Sequence, residues 1–414
     1  MLAGRVDLAA AGALPRWRRP FALLVLMAVA MPISFATWSA LLNNFVIEAA
    51  GFDGIDIGWL HTVREIPGFL AVGVIAVLWL VGEQALALLA LALLGAATAV
   101  TAWFPSLAGL LIVTFVSSVG FHYFETVNQS LQLQWLSRAE APRRIGQLVA
   151  AGSAASLVAY GVLVVGWKTL DLDYDTVYMA AGGTTLALVA VAALLYPRFT
   201  GGAVQHRRMV LRRRYWLYYL LQFLAGARRQ IFVVFAAFMM VERFGLEVHE
   251  LTALFLINFI ANMALAPLMG SAIGRFGERA ALIFEYAGLT VVFALYGLIY
   301  YADLPAWVAA TLYVVDHVFF ALAFAQKTYF QKIADPADIA PTAAVAFTIN
   351  HIAAVVLPAA LGYLWVVSPG AVFGLAAALA MLSVLLVLMI PRHPAPGRET
   401  VFSRPAAAAV EGGR

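Results

Sequence analysis

Apolar runs of bilayer-crossing length recur along nearly the whole chain, from Phe21 to Ile390, and leave it very few folds to choose from. About 20 consecutive apolar residues in a helix cross the hydrocarbon core. No water reaches the backbone there, so each run must satisfy its own polar groups, which a helix does internally. Spanning helices are expected near 20–47, 56–81, 84–103, 107–136, 144–167 and 176–196. After a polar break, more are expected near 214–241, 249–272, 280–301, 306–332, 342–366 and 370–390, about twelve in all. Hydrophobic residues make up 64% of the chain and charged residues 12%. A soluble domain carries about 25% charged residues, so a soluble enzyme with one greasy anchor is excluded.

The first run follows Arg16, Arg18 and Arg19, and its Ala28-Val29-Ala30 has the small residues of a signal-peptidase site. The run continues to Val46, well beyond the 7–15 or so residues of a signal core, and reads as an uncleaved first span. The chain has no Cys, which removes disulfides, thiolate metal sites and a cysteine nucleophile and leaves the redox compartment open.

Lys and Arg collect on the cytoplasmic side of membrane proteins. Here the basic clusters occupy the N-terminus (Arg5 to Arg19) and alternate loops: Arg138, Arg143 and Arg144; Arg207, Arg208 and Arg212 to Arg214; Arg275 and Arg279; Lys332; Arg392 and Arg398. The other loops hold Asp53, Asp56, Asp171, Asp173, Asp175, Glu247, Glu250 and Asp303. Both termini are therefore expected in the cytoplasm. The reading divides the chain into a cytoplasmic segment 1–19, a six-helix bundle 20–196, a linker 197–213 containing Gly201-Gly202, a second bundle 214–391 and a disordered tail 392–414. The two halves echo each other: span four ends in Gln129, Gln132, Gln134 and Trp135, and span ten in Gln326, Tyr329, Gln331 and Lys332.

Several charges fall deep in the spans. A charge facing lipid at mid-membrane costs about 2.5–3.5 kcal/mol or more, so each should face a partner or a watery cavity. On span four, His122 and Glu125 lie three apart, and Gln129 and Gln132 follow Glu125 on the same helical face. A desolvated Glu125 could bind and release a proton, or serve as a structural acid paired with an arginine. On span seven, Arg228 and Arg229 lie about twelve residues beyond Trp216, roughly 18 Å in. Adjacent side chains diverge by about 100°. One fork could therefore take an anionic solute while the other pairs with Glu125 or Asp316; both could equally be neutralising acids. Span ten offers Asp316 and His317 with Lys327 beyond them, and span one Trp38, Asn43 and Asn44. On span two, Arg64 and Glu65 are neighbours poorly placed to pair with each other, and the helix should bend at Pro67-Gly68. Asn258 and Asn262 read as glue between helices. His122, His317 and His351 invite a metal, but nothing fixes their distances, and no metal or cofactor is assigned. P-loop, metalloprotease and Gly-x-Ser-x-Gly signatures are missing, so the chain does not read as an enzyme or an ATP-driven pump.

Between spans eight and nine stands Gly270-Ser-Ala-Ile-Gly274-Arg275-Phe276-Gly277-Glu278-Arg279. It resembles the loop signature of the major facilitator superfamily, G-x-x-x-D-R-x-G-R-R, with Gly274 in place of the acid and Glu278 in place of a base. Its glycines would let helix ends approach closely, and Arg275 and Arg279 would hold the turn cytoplasmic. The corresponding loop between spans two and three reads Val81-Gly82-Glu83-Gln84, without the motif, which marks a divergent member. The resemblance implies an all-α membrane protein of two six-helix bundles, alternating access, and a cavity lined by spans one, four, seven and ten. The mid-span charges fall mostly on those spans.

The expected function is a secondary carrier in a cell inner membrane, moving a small polar, anionic or zwitterionic solute with protons. Glu125, Arg228, Arg229, Asp316, His122, His317, Asn44 and Gln129 would form the solute or proton path. The expected partners are the lipid bilayer, the solute and protons, with no nucleic acid, and the carrier should act as a monomer. Export of an amphipathic compound, or a non-transporting scaffold or sensor using the basic 207–214 loop, are the alternatives.

Overall fold

The computed structural model describes residues 4–70, 73–78, 80–136, 141–200, 211–335 and 338–403. Arg138, Gly201, Gly202, Arg207, Arg208 and the tail beyond Ser403 lie outside them. The chain is helical nearly throughout: α1 (Pro20–Glu48), α2 (Gly54–Phe69), α3 (Val74–Leu78), α4 (Glu83–Val100), α5 (Leu107–Trp135), α6 (Ala141–Thr169) and α7 (Tyr174–Leu195) form the first half. The second half contains α8 (Trp216–Ile231), α9 (Ala237–Glu242), α10 (Val248–Phe276), α11 (Glu278–Ala302), α12 (Ala306–Phe320), α13 (Phe324–Ile333), α14 (Ile339–Val367) and α15 (Pro369–Val387). Among the described residues, 11 helical stretches are long and apolar enough to cross a membrane. The second expected span is divided between α2, which ends at Phe69 just past Pro67-Gly68, and α3.

Local signals start these helices where loops meet them. Asp53 caps α2 by accepting from the amides of Ile55 (2.8 Å) and Asp56 (3.1 Å). Asp173 caps α7 through the Thr176 amide at 2.7 Å, which holds its carboxyl below the usual range. The acidic loops are therefore also helix starts.

Packing repeats between the halves. In the first half, α1 packs on α6 and α7, and α4 on α5 and α7. In the second, α8 packs on α14 and α15, and α11 on α12 and α15. Span one and span seven thus choose the same partners, as do spans three and nine. Close approach has a specific cause at α4 and α7, where a Cβ on Gly182 would sit 2.3 Å from the Gly95 carbonyl oxygen. The first half's apolar core joins Leu24 and Met27 of α1, Leu91 and Leu94 of α4, and Phe124 and Val127 of α5.

The chain forms two compact units, Met1–His206 with Ala237–Leu256, and Arg207–Ala236 with Ile257–Arg414. This division differs from the one expected at the linker. Residues 237–256 join the first unit because Asn44 Nδ2 donates to the Leu246 carbonyl at 2.7 Å, Lys168 pairs with Glu247 at 3.1 Å, and Tyr160 meets Phe255 edge-on at 6.1 Å.

The N-terminal segment and the start of the linker are ordered together. β1 (Arg5–Asp7) pairs in parallel with β2 (Arg198–Thr200). The Gln84 amide clamps the backbone beside it, donating to Pro197 O and accepting from Phe199 N, both at 2.9 Å. The tail also departs from the expected disorder: residues 392–403 fold back as a compact knot, with Val401 N donating to Met389 O at 2.8 Å.

Candidate functional site

The second unit gathers ionisable side chains from α8, α11 and α12. Arg228 and Arg229 occupy adjacent positions of α8, so helix geometry sends them to different neighbours. Arg228 is 3% exposed; its Nη2 lies 3.3 Å from Glu285 Oε1, and its guanidinium stands over the Tyr286 ring at 4.9 Å. Glu285, fully buried on α11, did not figure among the sequence candidates. Asp316 of α12 is also buried, close enough for its charge to act on both Arg228 and Glu285. Ionised together, the three groups carry one net negative charge. Arg228 Nη1, Glu285 Oε2, Asp316 Oδ1 and the Tyr296 hydroxyl have no hydrogen-bond partner among the described residues.

Arg229 turns the other way, donating through Nη2 to Asn350 Oδ1 of α14 at 3.1 Å. A polar chain links it back to Arg228. Asn350 Nδ2 donates to Gln222 O (3.3 Å), Gln222 Nε2 to Gln326 Oε1 (3.0 Å), and Gln326 Nε2 to the Tyr286 hydroxyl (2.6 Å). Four spans, seven, nine, ten and eleven, thereby contribute to one network. Both inner helices that carry it are interrupted nearby. A π-helical turn, Phe232–Ala236, follows α8, with the Phe232 amide shared between the carbonyls of Arg228 and Arg229. A 3-10 turn, Ala321–Ala323, separates α12 from α13. Their counterparts α1 and α5 run unbroken for 29 residues each.

The other candidates are placed differently. His317 sits beside Asp316 but faces the Phe232 ring at 6.1 Å. In the first unit, Glu125 and Gln129 do share a face of α5, and that face is exposed, so burial by protein does not desolvate Glu125. His122 lies off that face instead; it is buried, edge-on to Phe121 at 5.1 Å. Asn44 is fully buried and engaged with Leu246 O and with Glu48 Oε1 at 3.3 Å. Arg64 and Glu65 correct the expectation drawn from their adjacency. Arg64 reaches Glu65 Oε1 through Nη2 at 2.5 Å and through Nε at 3.1 Å, because its long stem curls back across the helix surface. The guanidinium also stands 5.7 Å from the Trp38 ring, and the Ser118 hydroxyl donates to the Arg64 carbonyl. His61, on the preceding turn, is buried, with neither ring nitrogen hydrogen-bonded among the described residues.

The glycine-rich loop also differs in detail. Gly277 adopts φ +84°, a left-handed conformation that explains a glycine there. A Cβ at Gly270 or Gly274 would meet nothing within 4 Å, so neither permits a close helix approach. Arg275 lies along Phe276 at 5.3 Å. Glu278 is buried and binds Lys332, at the end of α13, at 2.7 Å. The first half repeats the arrangement. Glu83, likewise preceded by glycine and likewise opening the third span, accepts from Ser130 (2.9 Å) and Gln134 (2.5 Å) at the end of span four. A Gly-Glu dipeptide in each half was the available signal, hidden because the full motif survives only once.

The fold and the buried charges define a multi-pass membrane transporter rather than an enzyme. The sequence pattern of the Major Facilitator Superfamily matches residues 22–358, and the chain belongs to that superfamily. No curated protein matches the sequence significantly. Solved structures share the fold at low identity. A variant of the nucleoside transporter NupG aligns with TM-score 0.73 and 13% identity, covering 89% of this chain and 99% of that one. A bacterial homologue of the human lysosomal transporter Spinster, inward-facing and unoccupied, gives 0.62 and 13%, covering 89% and 93%. A POT family transporter in complex with 5-aminolevulinic acid gives 0.68 and 13%, covering 89% and 95%.

Proposed function

We propose that this transporter is a proton-coupled secondary carrier of a small anionic or zwitterionic solute, working by alternating access as a monomer in a cell inner membrane. One observation carries the reading: Arg228 pairs at 3.3 Å with the buried Glu285, and a second carboxylate, Asp316, is buried on the adjoining α12. An uncompensated negative charge inside spanning helices is costly, and binding one proton removes it. Four of the cluster's buried polar atoms retain hydrogen-bonding capacity, as a group that exchanges protons during a cycle requires. Arg229 supplies the solute contact in this scheme. Its planar fork matches a carboxylate, and Asn350 orients it from the side. Glu125 and Gln129, on the exposed face of span four, belong to the solute path and not to the buried proton site. A scaffold would have no use for the Arg228 cluster.

The test is uptake into proteoliposomes of a panel of small carboxylates, amino acids and neutral controls, with and without a pH gradient. One pH unit supplies about 1.4 kcal/mol per proton, a tenfold accumulation ratio at one-to-one coupling. Gradient-driven accumulation should vanish in Asp316→Asn, whereas Arg229→Ala should raise the half-saturating concentration. Saturable uptake of a charged solute that ignored the gradient in the unmodified protein would end the proton-coupled reading.

A further inference from the structure

The C-terminal knot folds back on the end of α15, where Val401 N donates to Met389 O, and on a buried hydroxyl of α13. Its turn, Ala395-Pro396-Gly397-Arg398, has proline second and glycine third, with Gly397 at φ +80° and Arg398 N donating to Ala395 O at 2.8 Å. Glu399 organises the rest: its carboxylate accepts from Gly397 N (2.9 Å) and from the Ser403 hydroxyl (3.2 Å). Thr400 N donates to Ser403 Oγ at 3.0 Å. The residues so ordered, Glu399 and Thr400, are only 5% and 6% exposed. The attachment to α13 is the hydroxyl of the fully buried Tyr329, which donates to the Glu399 carbonyl at 2.5 Å.

What the knot holds is a helix with little stability of its own. α13 has 10 residues, among them Gln326, Lys327, Thr328, Gln331 and Lys332. A helix this short is marginal without tertiary contacts. The 3-10 turn at Ala321–Ala323 separates it from α12, and an extended Ala334 follows it. Among the described residues it is fastened by Lys332 to Glu278, by Phe330 stacked on Tyr218 at 4.3 Å and edge-on to Tyr215 at 5.3 Å, by Gln326 to Tyr286, Gln222 and the Leu221 carbonyl, and by Tyr329 to the knot. Tyr329 lies three residues beyond Gln326, on the adjacent turn. Gln326 in turn bonds the tyrosine whose ring lies under Arg228.

We propose that residues Arg392–Ser403 are an intramolecular strap that holds α13, and through Gln326 the polar network around Arg228, in its docked arrangement; releasing the strap frees the second half of span ten. The inference goes beyond the transport reading, since neither the solute nor the coupling ion enters it. The strap biases an equilibrium only because its contact exists in the docked state and is lost in the undocked one.

Hydrogen exchange on the full-length protein in detergent reads that equilibrium directly. In Tyr329→Phe, which keeps the ring and removes the donor, amides of Phe324–Ile333 should exchange about fivefold faster, the factor lost with one net hydrogen bond. Amides of α4 and α7 should be unchanged. Gly397→Val, which strains the turn without touching α13, should act in the same direction. Because the chain has no Cys, Ala325→Cys, at a fully buried position of α13, gives a second readout free of background. Its maleimide labelling should quicken when combined with Tyr329→Phe or with truncation after Pro391. If truncation prevents folding, the two point variants decide. Unchanged exchange in α13 in both of them, with each protein melting as a folded monodisperse species, would overturn the strap. Acceleration spread equally over the first half would do the same, because it would mean general destabilisation.

Discussion

Arg228 meets Glu285 directly and lies within the electrostatic reach of Asp316, so its removal strands two carboxylates in a buried setting. Losing one partner of a buried pair costs about 3–5 kcal/mol, whereas replacing all the charges with neutral groups of similar size is often tolerated. Arg228→Met should therefore melt well below the parent protein. Adding Glu285→Gln and Asp316→Asn to it should restore most of the loss, as read by tryptophan fluorescence during heating in detergent. A triple variant no more stable than the single one would show that hydrogen-bond geometry, and not charge balance, holds the cluster. Asp338, itself buried, shows the same chemistry outside the spans. Two 3.0 Å bonds from Arg212 hold its carboxyl below the usual carboxylate range, and the Tyr215 hydroxyl adds a third at 3.1 Å.

At the scale of elements, small residues decide how closely helices cross. On α7, Gly182 faces the Gly95 carbonyl and the Ala99 backbone, where a Cβ would fall at 2.3–2.4 Å, while the next residue, Gly183, has nothing within 4 Å. Both substitutions to alanine gain the same helix propensity, about 1 kcal/mol. Gly182→Ala must also push α4 and α7 apart, an overpacking cost of about 1–3 kcal/mol. Gly183→Ala should thus melt at or above the parent temperature and Gly182→Ala below it; equal effects would mean the crossing is looser than its geometry. Most of the elements were legible in the sequence because run length alone marks a spanning helix, whereas Pro67-Gly68, where a bend was expected, lies inside α2, which ends at Phe69. The interruptions at Phe232–Ala236 and Ala321–Ala323 were not legible, since neither contains proline or glycine; tertiary packing imposes them. The same limit applies to the site. An arginine and an aspartate in apolar runs identify themselves, so Arg228 and Asp316 were found. Glu285, which also interrupts an apolar run, did not figure among the candidates; its place in the site depends on its pairing with Arg228. Pairing depends on which helices adjoin, and a single sequence does not state that. The tail misled through composition: Pro396 and Gly397 count toward disorder in a tally and toward a tight turn in their actual order.

For the whole molecule, the distribution of charge around the spans bears on how it enters a membrane. Arginines gather in the loops that open α6, α8 and α11 and follow α15, while the intervening loops carry Asp53, Asp173 and Asp303. Two of those acids also cap helices, so helix chemistry alone could account for their positions. Several basic residues have local partners too: Arg212 pairs with Asp338, and Arg275 lies in the last turn of α10; Arg143, by contrast, stands exposed at the start of α6. Their bias is the ground for proposing that the arginine-rich ends face the cytoplasm. The cysteine-free chain makes this directly measurable. Asp175→Cys, exposed in the first turn of α7, should react with a membrane-impermeant maleimide in intact cells. His393→Cys, exposed beyond α15, should react only after the cells are opened. The reverse pattern would place both termini outside and overturn the proposed orientation. Equal labelling of both sites in intact cells would point to a mixed orientation and overturn the proposal as well.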